Sequence, residues 1–265
     1  MSARGRVLVI GGSDSSGGAG VQADIKTVTM LGGYAASAIT AVTVQDTRRI
    51  QAIHPIPPEL IVAQARAVLD DIGADAIKTG MLGDKAVVEA VADLLAGLAV
   101  PIVVDPVMAA TTGAALLAAD AIEAMRRRLT PLAALLTPNA PEAERLTGLT
   151  IAATDDLRRA GEALLEMGAG AVLMKGGHVG GESVIDILMT PAGETLFTSD
   201  RIATRHGHGT GCTLASACAT GLAQGLELQE AVARAHAFVA EAIRHAPGLG
   251  AGHGPIDHGW PLRAR

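Results

Sequence analysis

Val7-Leu8-Val9-Ile10-Gly11-Gly12-Ser13-Asp14 sets the architecture of the chain: four apolar residues run straight into two glycines, a hydroxyl and a carboxylate. An unbroken apolar run of this kind fits a strand covered on both faces, because a half-solvated strand would alternate. The same unit recurs. Ala76 to Lys78 leads into Thr79-Gly80-Met81, Ile102 to Val104 into Asp105-Pro106, Ala133 to Leu136 into Thr137-Pro138-Asn139, and Ala171 to Met174 into Lys175-Gly176-Gly177-His178. Between the runs lie helical stripes, such as Ile61, Ala65, Val68 and Ile72, and Val232, Ala235, Phe238, Val239, Ala242 and Ile243. Strand–helix alternation predicts an α/β fold, a three-layer sandwich with a mainly parallel central sheet flanked by helices. Tyr34 to Ile53 and Ser183 to Ile202 read as extended segments with turns, expected to form antiparallel edge strands or a small lid. With no repeat, low-complexity tract or linker, residues 1–265 are expected to form a single domain.

Open α/β sheets bind ligands at the carboxyl ends of their strands. Polar, charged and glycine residues gather after all five predicted strands, which argues for a site there. Composition restricts its occupant. Hydrophobic residues make up 49% and charged residues 18%, a globular balance, and a chain of 265 residues buries enough surface to need no disulfide or metal staple. The net charge is −6 and aromatic residues are 2%, so neither the basic face nor the stacking platforms of a nucleic-acid binder are present. Anionic ligands must be held by local devices. Cys212 and Cys218 are about 9 Å apart along one predicted helix, too far for a disulfide, and free thiols point to a reducing compartment. Met1 to Arg6 opens directly onto Val7, and no apolar run is long enough for a signal-peptide core or a membrane span; the expectation is a cytoplasmic protein with no membrane partner.

Gly207-His208-Gly209-Thr210-Gly211-Cys212 precedes an apolar helix predicted from Thr213 to about Ala223. Glycines before a helix turn its free N–H groups outward, and the helix dipole adds partial positive charge, so the segment reads either as an oxyanion cradle or as a plain turn. It is not a dinucleotide fingerprint, because Cys212 takes the last glycine position. Cys212 lies in the first helical turn, where the dipole lowers a thiol's pKa, so it is expected to serve as base or nucleophile; the bland alternative is a small buried apolar residue, which is how Cys218 is read. Gly11 to Gly20 is glycine-rich but lacks the P-loop lysine, and lines a substrate or forms a long turn. Asp105, Glu142 and Lys175 come from three strand ends, and two carboxylates with a lysine match what phosphoryl transfer needs: oxygen ligands for Mg2+ and a cation over the phosphates. Taken singly, each is equally a helix cap or a surface charge. No pair among the eight histidines has a zinc spacing.

Taken together, the segments Gly12 to Asp24, Lys78 to Leu82, Asp105 to Met108, Thr137 to Asn139 with Glu142-Ala143, Lys175 to His178, His208 to Cys212, and Gly252 to Pro255 with His258 resemble the hydroxymethylpyrimidine/phosphomethylpyrimidine kinase family, in order along nearly the whole chain. The resemblance implies a ribokinase-like fold, ATP with Mg2+, a homodimer, and phosphorylation of 4-amino-5-hydroxymethyl-2-methylpyrimidine and then of its monophosphate. It assigns the catalytic role to Cys212 and the anion hole to Gly209, Thr210 and Gly211. Lys175 and Thr210 fall to the nucleotide, and Glu142 and Asp105 to the metal. Gln45, Gly12, Asp24, Met81 and Val107 fall to the pyrimidine; a primary amide at Gln45 offers the donor and acceptor that match an aminopyrimidine edge. The chain departs from the pattern at Asp46, where asparagine is usual, at His236, where lysine is common, and at Thr111-Thr112-Gly113. Two competing readings are a pyridoxal kinase of the same fold and a catalytically dead ligand-binding regulator; the latter would be expected to have lost some of Cys212, Glu142, Lys175 or the glycines.

Overall fold

The computed structural model describes residues 5–110, 113 and 116–263; Thr111 and Thr112 lie outside them. Among the described residues nine strands form one sheet: β1 (Arg6–Ser13), β2 (Tyr34–Gln45), β3 (Ile50–Pro55), β4 (Ala76–Thr79), β5 (Ile102–Val104), β6 (Leu135–Leu136), β7 (Val172–Met174), β8 (Ser183–Thr190) and β9 (Gly193–Asp200). Their order across the sheet is β3-β2-β1-β4-β5-β6-β7-β8-β9. Each of the five predicted runs becomes a strand and all five pair in parallel, because helices cover both faces and no edge is left for water.

The edges correct one expectation. Ser183 to Ile202 does supply the antiparallel strands β8 and β9. Tyr34 to Ile53 is divided: β2 runs parallel to β1 from Tyr34 to Val42, and only β3 is antiparallel. Ala35 to Ala38 are small enough to lie under a helix, so β2 enters the sheet as an inner strand, and Asp46 then closes the hairpin by accepting from the amides of Arg48 (2.7 Å) and Arg49 (3.0 Å). The aspartate at this departure from the family pattern thus does ordinary turn work.

The eight α-helices among the described residues are α1 (Gly20–Met30), α2 (Pro58–Asp71), α3 (Lys85–Leu95), α4 (Ala119–Ala124), α5 (Ala140–Thr147), α6 (Thr154–Glu166), α7 (Thr210–Ala223) and α8 (Leu228–Arg244). Alternation along β1 sorts them into two layers. Leu8 and Ile10 face a core completed by α2 to α6, and Val7 and Val9 face another completed by α1, α7 and α8. Helix α7 is the most enclosed, buried from Thr213 to Gly221. Its Ala, Ser, Thr and Gly residues let it lie close to the sheet between its neighbours, which fixes its N-terminus at the carboxyl ends of β1, β4 and β5.

The order reverses at β1, whose chain leaves toward β2 while β4 returns on its other side. Such a switch point opens a crevice beyond the strand ends.

Candidate active site

The crevice floor is the start of α7. Gly209 caps it in the left-handed region at φ +89°, and a Cβ there would stand 1.9 Å from the Gly18 carbonyl oxygen, so only glycine lets the two loops touch. The Gly11–Gly20 segment therefore packs directly on the cradle. The first N–H groups of a helix have no intrahelical acceptor, and three residues assigned to the anion hole, Gly209, Thr210 and Gly211, lie at this end. The Thr210 amide also makes a long contact to the Gly207 carbonyl, 3.3 Å. A Cβ on Gly211 would come 3.3 Å from Lys175 Nζ and 3.8 Å from Asp105 Oδ2, so the bare helix end faces that pair.

Strand ends bring the charged groups together. Lys175, just past β7, holds its ammonium 3.2 Å from Asp105 Oδ1 and 3.8 Å from Glu142 Oε2. Glu142 is placed by a capping box, its carboxylate accepting from the Asn139 amide at 2.8 Å while the Asn139 side chain accepts from the Glu142 amide at 2.9 Å. Burial, aided by the nearby negative charge of Asp105, pushes Glu142 up to about 7 in spite of Lys175. Against the pull of burial, Asp105 and Glu142 push Lys175 up to about 12.

Asp105 Oδ2 is buried without a hydrogen-bond partner. Two buried carboxylates with one ammonium leave a local excess of negative charge and an unused oxygen, which suits a divalent cation. Among the described residues no group of three or more His, Cys, Asp or Glu side chains could hold a metal. Mg2+ asks for less, since it takes one or two carboxylates and draws the rest of its shell from water and phosphate. Asp105 and Glu142 fit that demand.

Beneath the floor lies a pair the sequence reading did not assign. Lys78 Nζ is 3.0 Å from both oxygens of Asp24, and Ser216 Oγ donates to Asp24 Oδ1 at 2.6 Å. Lys78 is 1% exposed and Asp24 0%. Burial opposes the lysine's charge, but Asp24 outweighs it and holds Lys78 above its ordinary value. Asp24, expected to touch the pyrimidine, is thus behind the site wall with both oxygens engaged, because an unpaired ammonium in the middle of an apolar strand demands a carboxylate. Lysine inside Ala76–Thr79 was the signal for this partner.

Cys212 is half-buried one turn into the crevice, with a hydrogen bond from the Gly20 amide to its sulfur. Here too the structure corrects the sequence reading. Burial pushes the thiol up to about 11, in spite of Lys78 and the Gly20 amide. Cys218, buried in the core, is pushed up to about 12 by the same cause.

The remaining assigned residues ring the crevice near β1, β2 and β4. A Cβ on Gly12 would lie 3.0 Å from Met81 Sδ, and Thr40 Oγ1 donates to the Met81 carbonyl at 2.6 Å. Val107 is half-buried after β5. Gln45, at the end of β2, is tied to the glycine loop through Ser15, whose hydroxyl donates to the Gln45 carbonyl and accepts from its amide, both at 2.8 Å. Its side chain lies 3.4 Å from His208 Nε2, and His208 is 2.8 Å from Asp14 Oδ2. Sequence reasoning missed the Asp14–His208 contact, since the partners are far apart in the chain.

On the other side of Lys175 a cleft of about 290 Å3 opens between α8, the start of α7 and the β8–β9 ribbon. His236 lines it, 3.7 Å from Asp186 Oδ2 and beside the Phe197 ring. Arg201 closes one rim by donating to the carbonyls of Gly177, Val179 and Gly181. A C-terminal segment braces the floor: His208 donates its amide to the Gly254 carbonyl at 3.1 Å, and His258 Nε2 shares a hydrogen bond with Thr213 Oγ1 at 2.9 Å. Burial pushes His258 down to about 4, so the ring is uncharged at neutral pH.

The cleft beside His236 thus reaches the place where the α7 amides, Lys175 and the two carboxylates converge. Known proteins resemble this chain in sequence and fold. The phosphomethylpyrimidine kinase family model matches residues 14–257. The hydroxymethylpyrimidine/phosphomethylpyrimidine kinase of Streptomyces coelicolor is 49% identical over 256 residues, 97% of this chain and 95% of that protein. The thiamine biosynthesis bifunctional protein ThiED of Geobacter sulfurreducens is 50% identical over 256 residues, 96% of this chain and 52% of that protein, so the chain spans about half its length. An ADP complex of Bacillus subtilis pyridoxal kinase overlaps with a TM-score of 0.92 at 35% identity, over 99% of this chain and 100% of that one. The fold is ribokinase-like.

Proposed function

Because the chain belongs to the phosphomethylpyrimidine kinase family, we propose that it transfers the γ-phosphate of ATP to the hydroxymethyl group of 4-amino-5-hydroxymethyl-2-methylpyrimidine, and then a second phosphate to the monophosphate. The observation that carries this reading is the convergence of the α7 N-terminus, Lys175 and the Asp105–Glu142 pair at the inner end of a cleft of about 290 Å3.

Phosphoryl transfer passes through a loose transition state whose charge sits on the peripheral oxygens, so positioning and electrostatics supply most of the catalysis. The Gly209, Thr210 and Gly211 backbone and the Lys175 ammonium face that charge, with Thr210 and Lys175 on the nucleotide side. Gln45, Gly12, Met81 and Val107 hold the pyrimidine; Asp24 is engaged by Lys78 and Ser216. Cys212 accepts the alcohol proton as a thiolate, and Lys78 behind it favours that form. Asp105 and Glu142 would hold Mg2+, which when bound neutralises phosphate charge. His236, where a lysine is common, tunes nucleotide affinity. The protein works in the cytoplasm as a homodimer; among the described residues no helix is long and apolar enough to cross a membrane.

An ATP-coupled assay with the pyrimidine alcohol, its monophosphate and pyridoxal tests the reading. The alcohol and its monophosphate should be turned over with the higher kcat/KM. The overlap with a pyridoxal kinase supports a second reading, pyridoxal phosphorylation, and a ratio strongly favouring pyridoxal would establish it instead. Loss of Cys212 in Cys212→Ala should lower kcat by about a hundredfold or more, the usual worth of a positioned base; a near-normal kcat removes the base assignment.

A further inference from the structure

The loop that leads from Lys175 into β8 has little of its own to hold it. Four of the six residues from Gly176 to Gly181 are glycine, the residue that loses most conformational freedom when ordered. Gly176 is pinned from behind: its amide donates to Asp186 Oδ1 at 2.8 Å, and a Cβ there would collide with the Ile185 carbonyl oxygen. The Val179 amide then donates back to the Gly176 carbonyl at 2.9 Å.

The rest of the loop is gathered by one side chain. Arg201, just past β9, donates from Nε to the Gly181 carbonyl at 2.8 Å, from Nη1 to the Gly177 carbonyl at 2.8 Å and from Nη2 to the Val179 carbonyl at 2.6 Å. All three guanidinium nitrogens are used, each on a different residue, and the planar fork fixes the three carbonyls relative to one another.

This clasp stands on the cleft. Gly177, His178 and Arg201 line it together with Lys175, Thr210 and Gly211. Lys175 is anchored without the clasp, since its amide donates to the Pro138 carbonyl at 2.9 Å and its ammonium pairs with Asp105 and Glu142. The wall and the lysine can therefore be perturbed separately.

We propose that Arg201 is a positioning residue for the nucleotide, holding the Gly177–Gly181 wall of the cleft in place before the phosphate chain arrives. The proposal rests on the kinase reading, and its ligand is a nucleoside di- or triphosphate. A loose glycine-rich wall would have to be ordered by the nucleotide itself, and affinity would fall by that cost. Turnover of bound nucleotide, which depends on Lys175 and the α7 amides, would be spared.

The test measures ADP affinity by calorimetry, with kcat and KM for ATP, in the wild type, Arg201→Ala and Arg201→Lys. Lysine keeps the positive charge but gathers its donors at one point, so it cannot span three carbonyls. Both variants should bind ADP about tenfold more weakly and raise KM for ATP by a similar factor, with kcat within about threefold of the wild type. Arg201 is exposed, and its own amide bond to the Glu182 carbonyl at 3.0 Å survives either substitution, so the fold should stand. Hydrogen exchange gives the readout that a general loss of stability would not: without nucleotide, the amides from Gly177 to Glu182 should exchange faster in both variants while those of α7 keep the wild-type rate. Wild-type ADP affinity in Arg201→Lys overturns the proposal, because the residue then acts through its charge alone. Unchanged exchange in the loop overturns it too, as does a kcat that falls in step with affinity. A wild type that binds ADP but phosphorylates no pyrimidine alcohol defeats the pyrimidine reading alone, and the ADP constants and the exchange rates still judge Arg201. One that binds no ADP overturns both.

Discussion

A thiol and an ion pair share the floor beneath the first turn of α7, and they respond differently to perturbation. With Cys212 near 11, the thiolate is a small fraction at neutral pH and grows about tenfold per unit below that value. A rate that depends on this thiolate should climb with the same slope between pH 7 and 9, and a flat kcat profile would show that the alcohol proton leaves by another route. Alkylation of Cys212 by iodoacetamide should follow the same curve. The Lys78–Asp24 pair is a matter of stability. Asp24→Ala leaves an ammonium buried without a partner and should cost about 3–5 kcal/mol in urea unfolding, whereas replacing both residues with apolar side chains of similar volume should recover most of it. Equal midpoints for Asp24→Ala and the parent would show that water or Asp105 takes over the charge.

At the scale of elements, α5 shows how one residue serves two purposes. Glu142 completes the capping box that starts the helix and also turns a carboxylate toward Lys175. Its ordinary value is 4.5 and in the fold it lies near 7, so between those pH values the folded state binds more protons than the unfolded one. The contribution of Glu142 to stability is therefore highest in acid and falls as pH rises through this window, by on the order of 3 kcal/mol at full loss. Glu142→Gln keeps an acceptor for the cap and should flatten the fall, bringing urea midpoints at pH 5 and pH 7.5 closer together; an unaltered gap would assign the pH dependence elsewhere. The strands and their ends were legible in the sequence because a doubly covered strand is continuously apolar and its loop is not. Glu142 was legible as a candidate, but its capping partner and its proximity to Lys175 depend on the β6 and β7 ends lying side by side. The Asp14–His208 contact spans most of the chain, and the raised Cys212 pKa comes from packing around the helix end; neither leaves a local pattern to read. For Cys212 the helix start was legible in the sequence, whereas the burial that raises its pKa was not.

Over the whole molecule, the exposed face of the β2–β3 ribbon carries Val42 and Val44, at 45% and 53% exposure. If the proposed homodimer forms through this face, the wild type should sediment as a dimer and Val44→Lys as a monomer; a variant that stays dimeric would move the interface elsewhere. The ribbon and its counterpart at β8–β9 lie at the two borders of the sheet, while α7 runs through the middle with nine consecutive residues from Thr213 to Gly221 shut away from water. A helix so enclosed cannot shift without opening the core around it, so adjustment to a bound molecule falls to the borders and the anvil under the phosphate stays still. Amide protons along α7 should then exchange with solvent only as fast as the entire protein unfolds, at a pace the ribbons exceed by orders of magnitude.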